Sequence, residues 1–336
     1  MPWWRRKPEK VEPDSLSRRD FFKKFSGGAV EIIRPGGEDP TRRPPPPPVL
    51  PQRPLGRTGA TVPILGFGTA RLTQQIADDG VAASLLNEAI DLGVTLIDTG
   101  SPEGGYHRAQ TVVGEVMRQR RRQVFLTAKV FEPDGTAGWR MLERSLQELQ
   151  TESVDLLYAH SLGHDHMDPE IVFGPNGVLR MLFQARHEGL CRFVGATCHN
   201  RSVRLLDTLR DYDLNVIMTA VNLADVHTYG FEDRIWPLAR QKGCGLVAMK
   251  VFAGPAEREV HTPARMPRQF QDLAFRYALS LEGCASAVIG MLDRRELHEN
   301  VQRARTFQPL TPEEWERVRQ IGPELAGKWG AHLGEL

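Results

Sequence analysis

Short apolar runs recur along the chain from residue 65 onward, each bounded by Gly, Asn or Asp. Their length and their content of β-branched residues are typical of buried strands. Between the runs, apolar residues follow a helical period, as Leu142, Leu146 and Leu149 do. The eight runs are LGFGT (65–69), VTLID (94–98), VFLTAK (124–129), VDLLYAH (154–160), RFVGAT (192–197), NVIMTAVN (215–222), GLVAMK (245–250) and SAVIGM (286–291).

A glycine closes the helical stretch before four of these runs, at Gly93, Gly189, Gly243 and Gly283. Glycine suits the left-handed conformation that ends many helices. A repeated order of strand, helix, cap and strand indicates parallel strands joined by right-handed crossovers and covered by helices. Eight such units close a barrel, so the pattern predicts an α/β fold of the (β/α)8 TIM-barrel type.

The first 52 residues have a different composition, rich in proline and arginine, which predicts a disordered tail at 1–52 before a barrel domain at 53–336. Residues 53–70 read as a β-hairpin that leads into the first barrel strand. The segment SRRDFFKK (17–24) is similar to a twin-arginine (Tat) export signal. The apolar stretch after it is short and is interrupted by Glu31. We therefore expect a cytoplasmic protein, with Tat export as the alternative.

The charge balance excludes some classes of partner. The chain carries 43 Lys and Arg against 42 Asp and Glu, so no net field attracts nucleic acid or an anionic membrane. The four cysteines form no C-x-x-C pair, and no apolar run is long enough to span a membrane. We expect a small-molecule partner, with neither a nucleic acid nor a membrane as partner.

Candidate chemistry lies at the ends of the predicted strands. Asp98, Lys129 and His160 each close a run, and Tyr106 follows in the turn after the second run. The carboxyl ends of barrel strands meet at one rim, where active sites of this fold are built. We therefore expect these four side chains to form a proton relay at the barrel mouth.

Six motifs, in order, carry a family resemblance: LGRTG with VPILGFGTA, LIDTG, LTAKV, LLYAH, VGATCHN and GMLDRRELHEN. Together they resemble the aldo-keto reductases, NAD(P)H-dependent carbonyl reductases on a TIM barrel. The resemblance implies reduction of an aldehyde or ketone with NADP(H), with NAD(H) as the other cofactor. It gives Tyr106 the role of proton donor to the developing alkoxide and His160 that of orienting the carbonyl. Lys129 would lower the pKa of Tyr106, and Asp98 would hold the lysine.

The tyrosine departs from the family pattern. The family's tyrosine follows the strand-end aspartate by five positions, where this chain has Glu103, and Tyr106 comes three residues later. Either the extra bend at Gly104 and Gly105 carries Tyr106 to the acid position, which we favour, or the protein lacks its usual acid and Glu103 is a poor substitute.

The implied cofactor residues carry over with changes. Thr197 and Cys198 match a Ser-Asn pair that binds the nicotinamide carboxamide, so the amide is lost. Met218 replaces a glutamine, whereas Asn222 is retained. Lys250 replaces an aromatic that stacks on nicotinamide, and Phe252 is the candidate substitute. The remaining implied cofactor residues are Thr69, Arg294, Arg295, Glu299 and Asn300, of which either arginine could pair with a 2′-phosphate and so favour NADP.

Other interpretations stay open. No G-x-G-x-x-G opens a βαβ unit, which disfavours a Rossmann enzyme. His164 and His166 could ligate a metal with a nearby aspartate, but contact with solvent or substrate is the simpler interpretation. The altered cofactor positions also suit an NADP-binding redox sensor or partner-binding subunit with little turnover. A third alternative is carbonyl chemistry without net redox.

Overall fold

The structure, a computed structural model, describes residues 50–254 and 264–336. The strands are β1 (Gln52–Pro54), β2 (Thr61–Pro63), β3 (Leu65–Gly68), β4 (Leu96–Asp98), β5 (Phe125–Val130), β6 (Val154–Ala159), β7 (Cys191–Cys198), β8 (Val216–Ala220), β9 (Gly245–Met249) and β10 (Cys284–Gly290). The α-helices are α1 (Leu72–Gln75), α2 (Asp79–Asp91), α3 (Ala109–Arg120), α4 (Gly135–Glu148), α5 (Pro169–Val172), α6 (Val178–His187), α7 (Ser202–Asp211), α8 (Phe231–Arg234), α9 (Trp236–Gln241), α10 (Gln271–Ser280), α11 (Arg294–Arg305) and α12 (Pro312–Trp329).

Strands β3 to β10 form a closed barrel in which every neighbouring pair is parallel, and β10 returns to β3. Each of the eight predicted runs overlaps one of these strands, so the predicted (β/α)8 barrel is confirmed. The four glycines that end helical stretches have positive φ: Gly93 95°, Gly189 78°, Gly243 69° and Gly283 84°. They adopt the left-handed conformation that their positions predicted.

The hairpin of β1 and β2 closes the amino-terminal end of the barrel. Leu55 and Val62 belong to the same buried cluster as Leu156, Val216 and Val247 inside the barrel. These apolar side chains fill the barrel interior at that end. The hairpin begins at Gln52, one residue before its predicted start.

The last helix, α12, begins with a capping box between Thr311 and Glu314. Trp315 packs edge-on against Tyr277 of α10, with ring centroids 5.5 Å apart. Within the described ranges, none of the helices combines the length and the apolar composition that a bilayer crossing requires. The predicted tail up to residue 49, including the twin arginines Arg18 and Arg19, lies outside the described residues.

Candidate active site

A cavity of about 480 Å³ opens at the carboxyl-end rim of the barrel. Asp98, Tyr106 and His160 line one side of it, and Met218 and Lys250 line another. Each of these residues lies in a barrel strand, just after it, or in the loop that follows it. The parallel strand order therefore brings together side chains that are far apart in sequence.

Lys129 and Asp98 form the buried base of the site. The Lys129 Nζ donates to Asp98 Oδ1 at 2.6 Å and to the Thr99 carbonyl at 2.9 Å. The Thr127 hydroxyl donates to the same carboxylate oxygen at 2.7 Å. Lysine and aspartate are both almost fully buried, at 1% and 3% exposure. Each of these buried charges is compensated only while its partner is present. The hydrogen bonds from Thr127 and to Thr99 hold the pair in one geometry.

Tyr106 contacts both members of this pair. Its hydroxyl donates to Asp98 Oδ2 at 3.4 Å, and the Lys129 Nζ is 4.7 Å from the centroid of its ring. The loop before it makes this placement: Pro102–Gly104 form a 3-10 turn and Gly105 has φ 87°. Glu103, by contrast, bonds both carboxylate oxygens to Arg144 and is absent from the described cavity lining.

The direction of the tyrosine pKa corrects one expectation. We expected Lys129 to lower the pKa of Tyr106, but burial raises that pKa well above its ordinary value, and the Asp98 carboxylate raises it further. The Lys129 ammonium is paired with Asp98 at 2.6 Å and lies 4.7 Å from the centroid of the Tyr106 ring. Burial in turn lowers the pKa of Lys129, an effect that Asp98 opposes. In this geometry Tyr106 is therefore a neutral phenol with its proton in place.

His160 completes the group. Its ring centroid is 5.8 Å from that of Tyr106 and 5.4 Å from that of Phe131, and its Nδ1 is buried without a partner among the described residues. A Cβ added to Gly104 would lie 2.5 Å from this Nδ1, so only glycine fits there. Burial, and then the nearby Lys129 charge, lower the pKa of His160 well below its ordinary value. A neutral imidazole can donate to a carbonyl oxygen.

Several predicted cofactor residues at the rim lie behind the cavity wall. Thr69 donates to the Asp98 carbonyl at 3.0 Å, and the Thr197 hydroxyl accepts from the Ser161 N–H at 2.7 Å. The Cys198 thiol donates to the Asn200 carbonyl at 2.9 Å. Asn222 donates to Asp225 and to the Lys250 carbonyl, and it accepts from two backbone N–H groups. All four side chains are fully buried and absent from the described lining.

Other lining residues carry polar or aromatic groups into the cavity. Lys250, in the left-handed region at φ 57°, and Phe252, both named from the sequence as cofactor candidates, line it. His199 lines it too, which the sequence analysis missed although the residue stands in the VGATCHN motif. Arg71 and Arg265, which follow β3 and β9, are further lining residues that were missed. Only their position after strands could have suggested them.

A basic cluster adjoins Phe252. The carboxylate of Glu299 receives Arg268 at 2.8 Å, Arg295 at 3.4 Å and Arg303 at 3.9 Å. Arg303 also lies 5.8 Å from the Phe252 ring centroid and donates to Asn300 at 2.9 Å. The structure thus brings together Phe252, Arg295, Glu299 and Asn300.

The other predicted arginine is directed elsewhere. Arg294 pairs with Glu88 of α2 at 2.7 Å, and His298 contacts the same carboxylate at 2.7 Å. Arg294 is therefore not part of the cluster around Glu299, so the two candidate arginines have different surroundings.

His164 and His166 pack around Phe131, with ring centroids 5.1 Å from it in both cases. His166 also lies 3.6 Å from Glu132. In the described part of the chain, no three His, Cys, Asp or Glu side chains are placed to hold a metal ion.

The comparisons with known proteins point to one family. Residues 64–272 match the model of the aldo/keto reductase family. The chain is 24% identical to L-galactose dehydrogenase of Arabidopsis thaliana over 296 residues, which cover 77% of this chain and 89% of that protein. It is 25% identical to pyridoxal 4-dehydrogenase of Microbacterium luteolum over 338 residues, which cover 81% and 97%. An aldo-keto reductase from Klebsiella pneumoniae, solved in complex with NADPH, has a TM-score of 0.65 at 21% identity, covering 80% and 94%. The chain belongs to the aldo/keto reductase family, and the enzyme class predicted from its sequence, an NAD(P)H-dependent oxidoreductase, is confirmed.

Proposed function

We propose that the protein reduces a small aldehyde or ketone to the alcohol with NADP(H), using Tyr106 as the acid. The observation that supports this most directly is the convergence of Tyr106, Lys129, Asp98 and His160 at one side of the rim cavity. The bound cofactor would supply a hydride to the carbonyl carbon. The reaction also needs a proton donor and a group that orients the carbonyl oxygen, and these side chains can provide both.

The residues divide this work as follows. His160, kept neutral by burial, donates to the carbonyl oxygen and holds it beside the Tyr106 hydroxyl. As negative charge develops on that oxygen, Tyr106 releases its proton to it. The ammonium of Lys129, 4.7 Å from the phenol ring, then stabilises the negative charge left on Tyr106. Asp98 keeps Lys129 in this position and charged, and a proton from solvent restores the phenol.

The basic cluster favours NADP(H) over NAD(H). Arg268, Arg295 and Arg303 contact Glu299, and Arg295 also contacts Asp293 at 3.7 Å, so three guanidinium groups share two carboxylates. Guanidinium groups bind phosphate through paired, charge-assisted hydrogen bonds. Phe252 lines the cavity and its ring centroid lies 5.8 Å from Arg303, so the cluster adjoins the cavity. The relative from Klebsiella pneumoniae was crystallised with NADPH, which is consistent with this preference.

The Tyr106→Phe variant tests the proposal. We expect kcat to fall by roughly a thousandfold, because an acid at this step contributes about 10² to 10⁴ in rate. The affinity for NADPH, measured by fluorescence titration, should change by less than about twofold, because the substitution removes one oxygen and keeps the ring. Tyr212→Phe is the matched control, since Tyr212 packs on Phe183, distant in the chain from the site.

Single-turnover measurements separate this enzyme from a sensor that only binds the cofactor. The wild-type protein, loaded with NADPH and mixed with a reactive aldehyde such as methylglyoxal, should oxidise one equivalent of NADPH in a burst, and Tyr106→Phe should not. An unchanged kcat in Tyr106→Phe would assign the acid to another residue. Wild-type protein that binds NADPH without any burst would overturn the reductase in favour of the sensor.

A further inference from the structure

The end of β7 has lost the amide that its family motif carries, and its neighbours do not replace it. Cys198 is fully buried, and its thiol is engaged with the Asn200 carbonyl. Asn222 uses its amide oxygen and nitrogen in bonds within the protein. Met218, which does line the cavity, has neither nitrogen nor oxygen in its side chain. A nicotinamide ring bound in this cavity therefore meets no side-chain amide from β7 or β8.

His199, which follows β7 directly, lines this side of the cavity and has both a donor and an acceptor. It is 7% exposed, and its ring centroid lies 6.2 Å from that of His160. Its Nδ1 is 3.1 Å from the Ser161 hydroxyl, whereas no hydrogen bond to Nε2 occurs within the described ranges. Ser161 is itself fixed, with φ 53° and its N–H donated to Thr197. The imidazole is thus held from behind, with one nitrogen left for a ligand.

We propose that His199 binds the carboxamide of the nicotinamide ring in place of the missing amide, and that Ser161 positions it. The inference rests on the proposed function, because it requires a nicotinamide cofactor in this cavity. The carboxamide has one carbonyl oxygen that accepts and one NH2 group that donates. Holding it fixes which face of the ring, and therefore which C4 hydrogen, is presented to the carbonyl carbon.

Both neutral tautomers of His199 suit this role. If the Ser161 hydroxyl donates to Nδ1, then Nε2 carries the hydrogen and donates to the carboxamide oxygen. If Nδ1 donates to Ser161, then Nε2 accepts from the carboxamide NH2. Burial, and then Lys250 and Lys129, lower the pKa of His199 well below its ordinary value, so the ring is neutral. A neutral ring does not repel the positive charge of the oxidised nicotinamide.

Two ligands locate the contact. NADPH contains the nicotinamide, and 2′-phospho-ADP-ribose is the same molecule without it. We expect His199→Phe to weaken NADPH binding about tenfold and to leave the binding of 2′-phospho-ADP-ribose unchanged. His199→Gln, which returns an amide to the cavity, should recover most of the affinity. Ser161→Ala should weaken NADPH binding by about threefold. His166→Phe, at an exposed position on the neighbouring loop, is the control.

Hydride transfer gives a second measurement that a purely structural role would not alter. Wild-type enzyme should transfer deuterium to the product from only one of the two NADPH samples labelled in the 4R or the 4S position, whereas His199→Phe should transfer it from both samples. The inference would be overturned if His199→Phe weakened the binding of both ligands equally. It would also be overturned if this variant kept both full stereospecificity and the wild-type affinity for NADPH. Wild-type protein that binds 2′-phospho-ADP-ribose but not NADPH would overturn it as well. Failure of the wild type to bind either ligand would instead overturn the proposed function, and this inference with it.

Discussion

The two sides of the rim cavity differ in how much of the family pattern they keep. On the side of β4 to β6, Asp98, Lys129 and His160 stand at their strand ends, and a longer loop returns Tyr106 to them. On the side of β7 to β9, the family's amides and stacking aromatic are replaced by Cys198, Met218 and Lys250. We call these the acid side and the cofactor side.

The difference follows from what each side must do. Proton transfer requires a group that carries a transferable proton at hydrogen-bond distance from the reacting oxygen, so few residue types can serve on the acid side. Binding an uncharged carboxamide requires only one donor or acceptor at the right place, which many side chains can supply. The acid side is therefore constrained in chemistry, and the cofactor side is constrained mainly in shape.

The largest expected effect tests whether the acid side is a single unit. Lys129→Met leaves Asp98 buried without its partner, which should lower the free energy of unfolding by about 3 to 5 kcal/mol and abolish turnover. Urea denaturation measures the first, and steady-state assays measure the second. Lys328→Met is the control, because its pair with Glu324 is exposed and contributes less than about 1 kcal/mol. Equal losses of stability and turnover in the two variants would show that the buried pair contributes no more than the exposed pair.

The loop that carries Tyr106 can be tested by a pair of glycines. Gly104→Ala would place a methyl 2.5 Å from His160 Nδ1, so kcat/KM should fall by roughly 10-fold to 100-fold. Gly105→Ala meets no atom within 4 Å and forces only the positive φ of 87°, so it should cost about 1 to 2 kcal/mol of stability with little loss of kcat/KM. Similar kinetics in both variants would mean that the Gly104 contact does not position His160.

The pH dependence of kcat/KM tests whether a charge on the cofactor side affects the acid side. Because the pKa of His160 is lowered below its ordinary value and that of Tyr106 is raised above its own, reduction should keep a constant kcat/KM across the whole pH range between those two ordinary values, about 6.5 and 10. The Lys250 charge contributes to lowering the His160 pKa, so Lys250→Met should raise that pKa and start the acid-side loss of activity at a higher pH. Lys242→Met, outside the described cavity lining, is the control. An acid-side loss that begins at a lower pH in Lys250→Met would contradict the assignment.

The smallest expected effect tests which of the two candidate arginines binds the 2′-phosphate. Arg295 shares Glu299 with Arg268 and Arg303, whereas Arg294 pairs with Glu88. Arg295→Ala should therefore reduce the preference for NADPH over NADH by about fivefold, and Arg294→Ala by less than about twofold. The ratio of kcat/KM values for the two cofactors measures this. A larger effect of Arg294→Ala would place the 2′-phosphate beside α2 instead.

The sequence predicted the barrel, its strand order and the residues at the strand ends because buried parallel strands and glycine caps leave strong local patterns. It predicted Asp98, Lys129 and His160 as neighbours for the same reason, since strand ends in a barrel share one rim. It left two alternatives for Tyr106, and it missed His199, because a loop's path depends on contacts that single-sequence patterns do not encode.

Only the tertiary structure decided which side chains face the cavity. In the structure, Asn222 and Thr197 are buried and bond to other parts of the protein. Arg294 and Arg295 contact different carboxylates. The pKa of Tyr106 is raised, whereas the sequence analysis expected it to be lowered. Residue identity and strand position come from the sequence and are local. Burial, charge compensation and the direction of a side chain depend on packing between distant segments, and these quantities set the chemistry of the site.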